Sequence, residues 1–219
     1  MRARFHFDED LGTLSAELQH LGHMATRAVN EAFSALREHD SERARQVIAN
    51  DQRINEAERD IETHALRLIA TQQPVATDMR RLVVTIEIAG ELERIADYAK
   101  GIARAVIRDA ASLPETIPAE MVQMAQMATT MLTTALEAFV THDVARAEAI
   151  GPVDDDVDAL YEQVEKTLLR QMTHDPAASA WVPGALFSAY YLERVADRAT
   201  NIAERVVYLV NARLVDFNP

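Results

Sequence analysis

The chain has 219 residues, with 35 acidic side chains against 22 lysines and arginines and a net charge of −13. That balance opposes binding to nucleic acid, whose phosphate backbone needs a basic footprint, and it suits cations instead. The absence of cysteine excludes disulfides, thiolate metal sites and cysteine nucleophiles.

Only six glycines and seven prolines occur, and aromatics make up 5% of the chain. Alanine, leucine, glutamate and arginine dominate, which favours long helices over strands. Met1 to Asp8 lack the apolar core of a signal peptide. No uncharged apolar run approaches the roughly 20 residues of a membrane span. The expected location is cytoplasmic, peripheral to a membrane at most.

Residues 8–39 are predicted to form the first helix, from the three-and-four spacing of Leu11, Leu14, Leu18, Leu21, Ala25, Val29, Ala32, Phe33 and Leu36. His39-Asp40 marks a turn, with Asp40 as the N-cap of the next helix. That helix carries Ala44, Val47, Ile48, Ile54, Ile61, Leu66 and Ile69 and stops near Pro74, since proline disfavours helical geometry in the residue before it. A third helix starts near Thr77-Asp78 and carries Leu82, Val83, Ile86, Ala89, Leu92, Ile95, Ala99, Ile102 and Val106. The breaker-rich stretch from Ser112 to Pro118 separates two halves, 1–112 and 113–219.

The second half replays the first. Residues 24–51 and 127–154 share 10 of 28 positions, including His39-Asp40 with His142-Asp143 and Asp51 with Asp154. Residues 92–103 and 192–203 share 8 of 12. The offset drops from 103 to 100 near Met172 to Pro176, where Asp175 is expected to cap a helix with Pro176 at its first position. The predicted fold is all-α: two tandem antiparallel three-helix bundles, six long helices in all, related by an internal pseudo-twofold repeat. Two copies fall short of the array a solenoid needs.

The most conspicuous shared stretch is Leu92-Glu93-Arg94-Ile95-Ala96-Asp97, repeated as Leu192-Glu193-Arg194-Val195-Ala196-Asp197. Glutamate and aspartate four apart lie on one helical face, one turn apart. With this many acids, several such pairs arise by chance, and any one reads most simply as a solvated face. Duplication sets this pair apart. Glu87 and Glu91 form another pair, but their counterparts are Phe187 and Tyr191. Like charges at this spacing weaken a helix, so something must offset the repulsion. Arg94 and Arg194 could do so as salt-bridge partners; a bound cation is the functional alternative.

The second helix of each half supplies companions: Asp51 and Asn55 in one, Asp154 and Asp158 in the other. In a hairpin of helices two and three, 51/55 face 93/97 and 154/158 face 193/197. Such all-oxygen sets suit hard cations such as Mg²⁺, Ca²⁺ or Mn²⁺, or carboxylate-bound iron. Four carboxylates against three plus an amide predict tighter binding in the second half. A ferritin-like di-iron site is excluded, because Ala96 and Ala196 stand where its Glu-x-x-His motifs need histidine. The one such motif, Glu17 to His20, is not repeated. Met121, Met124, Met127 and Met131 read as core, while Trp181 and Tyr190-Tyr191 read as packing or interface residues. No phosphate loop or hydrolase motif occurs.

Taken together, Phe5 to Leu11, Asp51-Gln52-Arg53-Ile54-Asn55, Gln73-Pro74, Asp78-Met79-Arg80, Glu91 to Asp97, Asp154 to Asp158, Asp175-Pro176 and Leu192 to Glu204 resemble the PhoU family of phosphate-transport accessory proteins over nearly the whole length. The resemblance implies two three-helix bundles and a Glu/Asp-x-x-x-Asp signature that binds iron or other metal ions in some members; manganese and magnesium are expected from the all-oxygen donors alone. Here the signature falls on Asp51/Asn55, Glu93/Asp97, Asp154/Asp158 and Glu193/Asp197, with Asn55 departing from it. The resemblance also implies dimers in many members, with higher oligomers known, and the expected protein is a homodimeric regulator that is not an enzyme. Such a protein regulates phosphate uptake and restrains the phosphate-starvation response, between the ATPase subunit of the phosphate ABC transporter and a phosphate-sensing histidine kinase. The competing expectations are a carboxylate-metal hydrolase or oxidase, and a plain helical scaffold.

Overall fold

The protein is described here by a computed structural model covering residues 2–113 and 116–217, with side chains from His6 onward. Pro114 and Glu115 of the expected linker lie outside the described residues. The first half comprises α1 (Arg2–Glu38), α2 (Ser41–Gln72) and α3 (Thr77–Arg108). The second comprises α4 (Ala119–Thr141), a single turn α5 (Val144–Glu148), α6 (Gly151–His174) and α7 (Val182–Asn211). The six expected long helices are present, and no strand occurs among the described residues.

The turns repeat as the sequence repeats. His39 and His142 both take the left-handed conformation, at φ 56° and 54°. Asp40 then accepts from the backbone N–H groups of Glu42 and Arg43, and Asp143 accepts from that of Arg146. These carboxylates satisfy amide donors that a helix start leaves unpaired. The repeat-related Arg43 and Arg146 reach back to Glu38 and Glu137, at 2.7 and 2.6 Å, so each turn carries an Arg–Glu ion pair, though the glutamates stand at different places in the repeat.

Two local expectations are corrected. The second helix of the second half is not continuous: α5 ends and α6 restarts at Gly151-Pro152, where the first half has Ile48-Ala49 inside an unbroken α2. Proline lacks the N–H that would bond the carbonyl four residues back, and its ring crowds that carbonyl. Asp175 does cap with Pro176 following it, but what it caps is a short 3₁₀ turn over Pro176–Ala180. The long helix α7 begins after it, at Val182-Pro183.

Within each half, α3 packs on α1 and α2, and α7 packs on α4 and α6. Between halves, α3 packs on α7 and α1 on α4. A single apolar core runs through both bundles. Leu92, Ala96, Ala99 and Ala103 of α3 are buried, as are Leu192, Ala196, Ala199 and Ala203 of α7. Met121, Met124 and Met131 are core residues, Met127 packs on its edge, and Trp181 is buried with them.

The α3–α7 seam has two unlike sides. On one, Glu91 meets Arg198 at 3.2 Å and Asn201 at 3.4 Å, and Glu87 meets Arg205 at 3.4 Å. The repeat-related positions on the other side hold Tyr191, Tyr98, Gly101, Phe187 and Ala105. There Tyr98 and Tyr191 stack with ring centroids 5.8 Å apart. Gly101 makes room for this stack, since a Cβ on it would stand 2.5 Å from the Tyr191 ring. Gly101→Ala is therefore expected to cost about 1–3 kcal/mol of stability by overpacking. The cost should shrink in a Tyr191→Ala background, a coupling that denaturant titration of the four proteins measures.

Candidate functional site

Glu93 and Asp97 follow buried Leu92 and Ala96 in the chain, and Glu193 and Asp197 follow buried Leu192 and Ala196. One residue further on is a rotation of about 100° around a helix. The carboxylates therefore turn out of the core toward the second helix of their own half. The structure brings the sequence-chosen residues of the two helices together in both halves, but with different company.

In the first half, Asp51 on α2 is 7% exposed. Its Oδ2 accepts from Lys100 Nζ on α3 at 2.5 Å, and the same ammonium donates to Asp97 Oδ1 at 3.3 Å. These carboxylates raise the lysine above its ordinary value, the Asp51 bond most of all, so it stays charged. Asn55 lies one turn along α2 from Asp51. Asp51 Oδ1 and Asn55 Oδ1 are buried and have no hydrogen-bond partner. Burial raises Glu93, with Asp97, Glu58 and Asp51 adding to it. Glu58, itself raised by burial and by Glu62, is thus a fourth carboxylate of this cluster.

In the second half, Asp154 on α6 is 2% exposed. Burial pushes Glu193 up to about 7, helped by Asp197, Asp158 and Asp154 and opposed by Arg194. Asp158 is also raised, by burial first and then by Asp197, Asp155 and Glu162. Glu193 Oε2 is buried with no hydrogen-bond partner. The Arg194 guanidinium donates to Asp197 and also reaches Tyr98 on α3. Tyr161 fills the position that Glu58 holds in the first half, and burial with Glu165 and Glu193 raises its hydroxyl.

Lys100, Glu58 and Tyr161 were not among the residues singled out from sequence. The usable signal was the mismatch inside the repeat: Lys100 against Thr200, and Glu58 against Tyr161. Glu58 adds a fourth carboxylate to the first cluster, and Asp155 and Glu162 border Asp158 in the second. The resident cations differ as well. Of the two arginines considered as salt-bridge partners, Arg194 takes that part with Asp197, while Arg94 stays exposed. Glu17 does not pair with His20; its carboxylate meets His64 of α2 at 2.9 Å.

Among the described residues, no group of three or more Asp, Glu and His side chains is arranged to hold a metal ion as it stands. The donor chemistry of the second cluster nevertheless fits a hard cation. It is all oxygen, it is crowded with like charge, and it includes a buried carboxylate oxygen with no donor.

Paired bundles with an acidic second helix facing a repeated Glu-x-x-x-Asp helix define a tandem three-helix-bundle protein with two internal carboxylate clusters. The PhoU domain matches residues 18–106 and 121–206, and the chain belongs to the PhoU family. It is 35% identical over 213 residues to the phosphate-specific transport system accessory protein PhoU homolog of Clostridium acetobutylicum, covering 97% of each chain. It is 30% identical over 207 residues to the PhoU accessory protein of Escherichia coli, covering 94% of this chain and 86% of that one. The crystal structure of PhoU from Pseudomonas aeruginosa superposes with a TM-score of 0.89 at 32% identity, over 94% of this chain and all of that chain.

Because Glu193 is raised above its ordinary 4.5, the folded chain binds that proton more tightly than the unfolded chain does. The stability this proton contributes is complete below the unfolded pKa. It is lost as pH rises through the window from about 4.5 to about 7. Metal-free protein is expected to lose Tm across that window, and Glu193→Gln to flatten the loss, as read by scanning calorimetry.

Proposed function

We propose that this chain is an accessory regulator of phosphate uptake that restrains the phosphate-starvation response and is not itself an enzyme. It acts in the cytoplasm, between the ATPase subunit of a phosphate ABC transporter and a phosphate-sensing histidine kinase. The reading is carried by membership of the PhoU family across both halves, joined to relatives named as phosphate-specific transport accessory proteins along 97% of the chain. No helix of the described residues is long and apolar enough to cross a membrane, so contact with a transporter falls to the helical faces.

The second cluster is the proposed regulatory centre. Asp154, Asp158, Glu193 and Asp197 would hold a hard divalent cation such as Mn²⁺, Mg²⁺ or iron(II). A bound cation supplies positive charge that offsets the mutual repulsion of these carboxylates. Within the chain, Glu193 holds a proton at its carboxyl near neutral pH and releases it when the cluster is neutralised. Arg194 orients Asp197 and links the cluster to Tyr98 across the seam. Charge at this site is thereby coupled to the packing of one half on the other.

Deleting the gene in its own organism should derepress a phosphate-starvation reporter in phosphate-replete medium. Wild-type protein should restore repression, and Glu193→Gln/Asp197→Asn should not. An unchanged reporter on deletion would sink the reading. In vitro, the same double substitution should weaken Mn²⁺ binding about 10–100-fold, measured by calorimetric titration.

A further inference from the structure

We propose that the first-half cluster carries its own permanent cation, the Lys100 ammonium, and is closed to metal ions. The family signature is present there at Asp51 and Glu93/Asp97, yet the residues do not fit a metal. Lys100 leaves α3, crosses to α2, and places its nitrogen 2.5 Å from Asp51 Oδ2 and 3.3 Å from Asp97 Oδ1. Oxygen ligands surround hard cations at about 2.0–2.6 Å. An ion bridging α2 and α3 through Asp51 and Asp97 needs the place that this nitrogen occupies, and the two charges repel. The bond is shielded from water, with Asp51 7% exposed and the Lys100 side chain 20% exposed.

The other half is the internal control. Thr200 stands at the register of Lys100. It is fully buried and returns its hydroxyl to the carbonyl of Ala196 in its own helix, 3.1 Å away. It brings no charge to the second cluster. The cation of that half, Arg194, meets Asp197 on its own helix. Duplicated clusters have therefore taken different cations. The first is a tethered crosslink between α2 and α3, whereas the arginine of the second pairs within its own helix. The inference concerns the first cluster alone and does not depend on metal occupancy of the second.

Removing the lysine takes its donor from Asp51 Oδ2 and its charge from beside Asp97, next to Asp51 Oδ1 and Asn55 Oδ1, which already lack partners. The test uses the full chain, stripped with chelator and titrated with Mn²⁺ alone, with free Mn²⁺ followed by its paramagnetic resonance signal. Glu193→Gln/Asp197→Asn serves as background to remove the second cluster. That background is expected to bind no Mn²⁺ that depends on Asp51. Adding Lys100→Thr should create one bound Mn²⁺ per chain, about tenfold tighter than anything the background binds, and Asp51→Asn should abolish it. Lys100→Gln, which keeps the side-chain stem without the charge, gives the same reading if the threonine variant fails to fold. A background that binds an equivalent removed by Asp51→Asn would overturn the proposal. So would a folded Lys100 variant that binds no more than its background.

Discussion

The packing of α3 on α7 is the contact on which the rest of the molecule depends. Both helices also commit a ladder of buried small residues to the core, Ala96, Ala99 and Ala103 in one and Ala196, Ala199 and Ala203 in the other, on a face turned away from the one that holds Glu91, Tyr98 and Gly101. Short side chains let neighbouring helices approach that face closely. Once that ladder is committed to the core, the rotation of each helix is fixed. The residue after each of Ala96 and Ala196 then turns toward the second helix of its own half. The acidic clusters are a consequence of this core packing as much as of their own chemistry.

Placing four carboxylates against two helices has an electrostatic cost that each half meets differently. A buried acid is tolerated when a counter-charge or donors accompany it. The first half supplies an ammonium from its own α3. The second supplies a guanidinium that donates to Asp197 on its own helix. In both bundles the glutamate of the repeated motif stays raised by its burial, and in the second it is pushed up to about 7.

The helices were legible in the sequence because the apolar spacing is long and regular, and because each turn is written twice as His-Asp. The break before α6 was written too, at Pro152, but repetition argued for continuity and proline's backbone chemistry prevailed. The paired carboxylates were found through duplication. Lys100 and Glu58 were hidden because duplication directs attention to what the copies share, and these two are where the copies differ. The bond from Lys100 to Asp51 spans 49 residues, so no local spacing announces it. Glu87 and Glu91, set aside as neighbours that failed to repeat, owe their meaning to Arg205 and Arg198 of the opposite half.

Those unlike sides of the seam bear on the ancestry of the chain. A duplicated bundle begins as two interchangeable copies, each able to pair with itself. Here, self-pairing of first halves would set Glu91 against Tyr98 in place of Arg198. Self-pairing of second halves would set Tyr191 against Asn201 in place of Gly101, the residue that leaves the ring its room. Each half has become the lock for which the other is the key. A seam built from these unlike sides favours pairing of one half with the other over pairing of either half with its own copy.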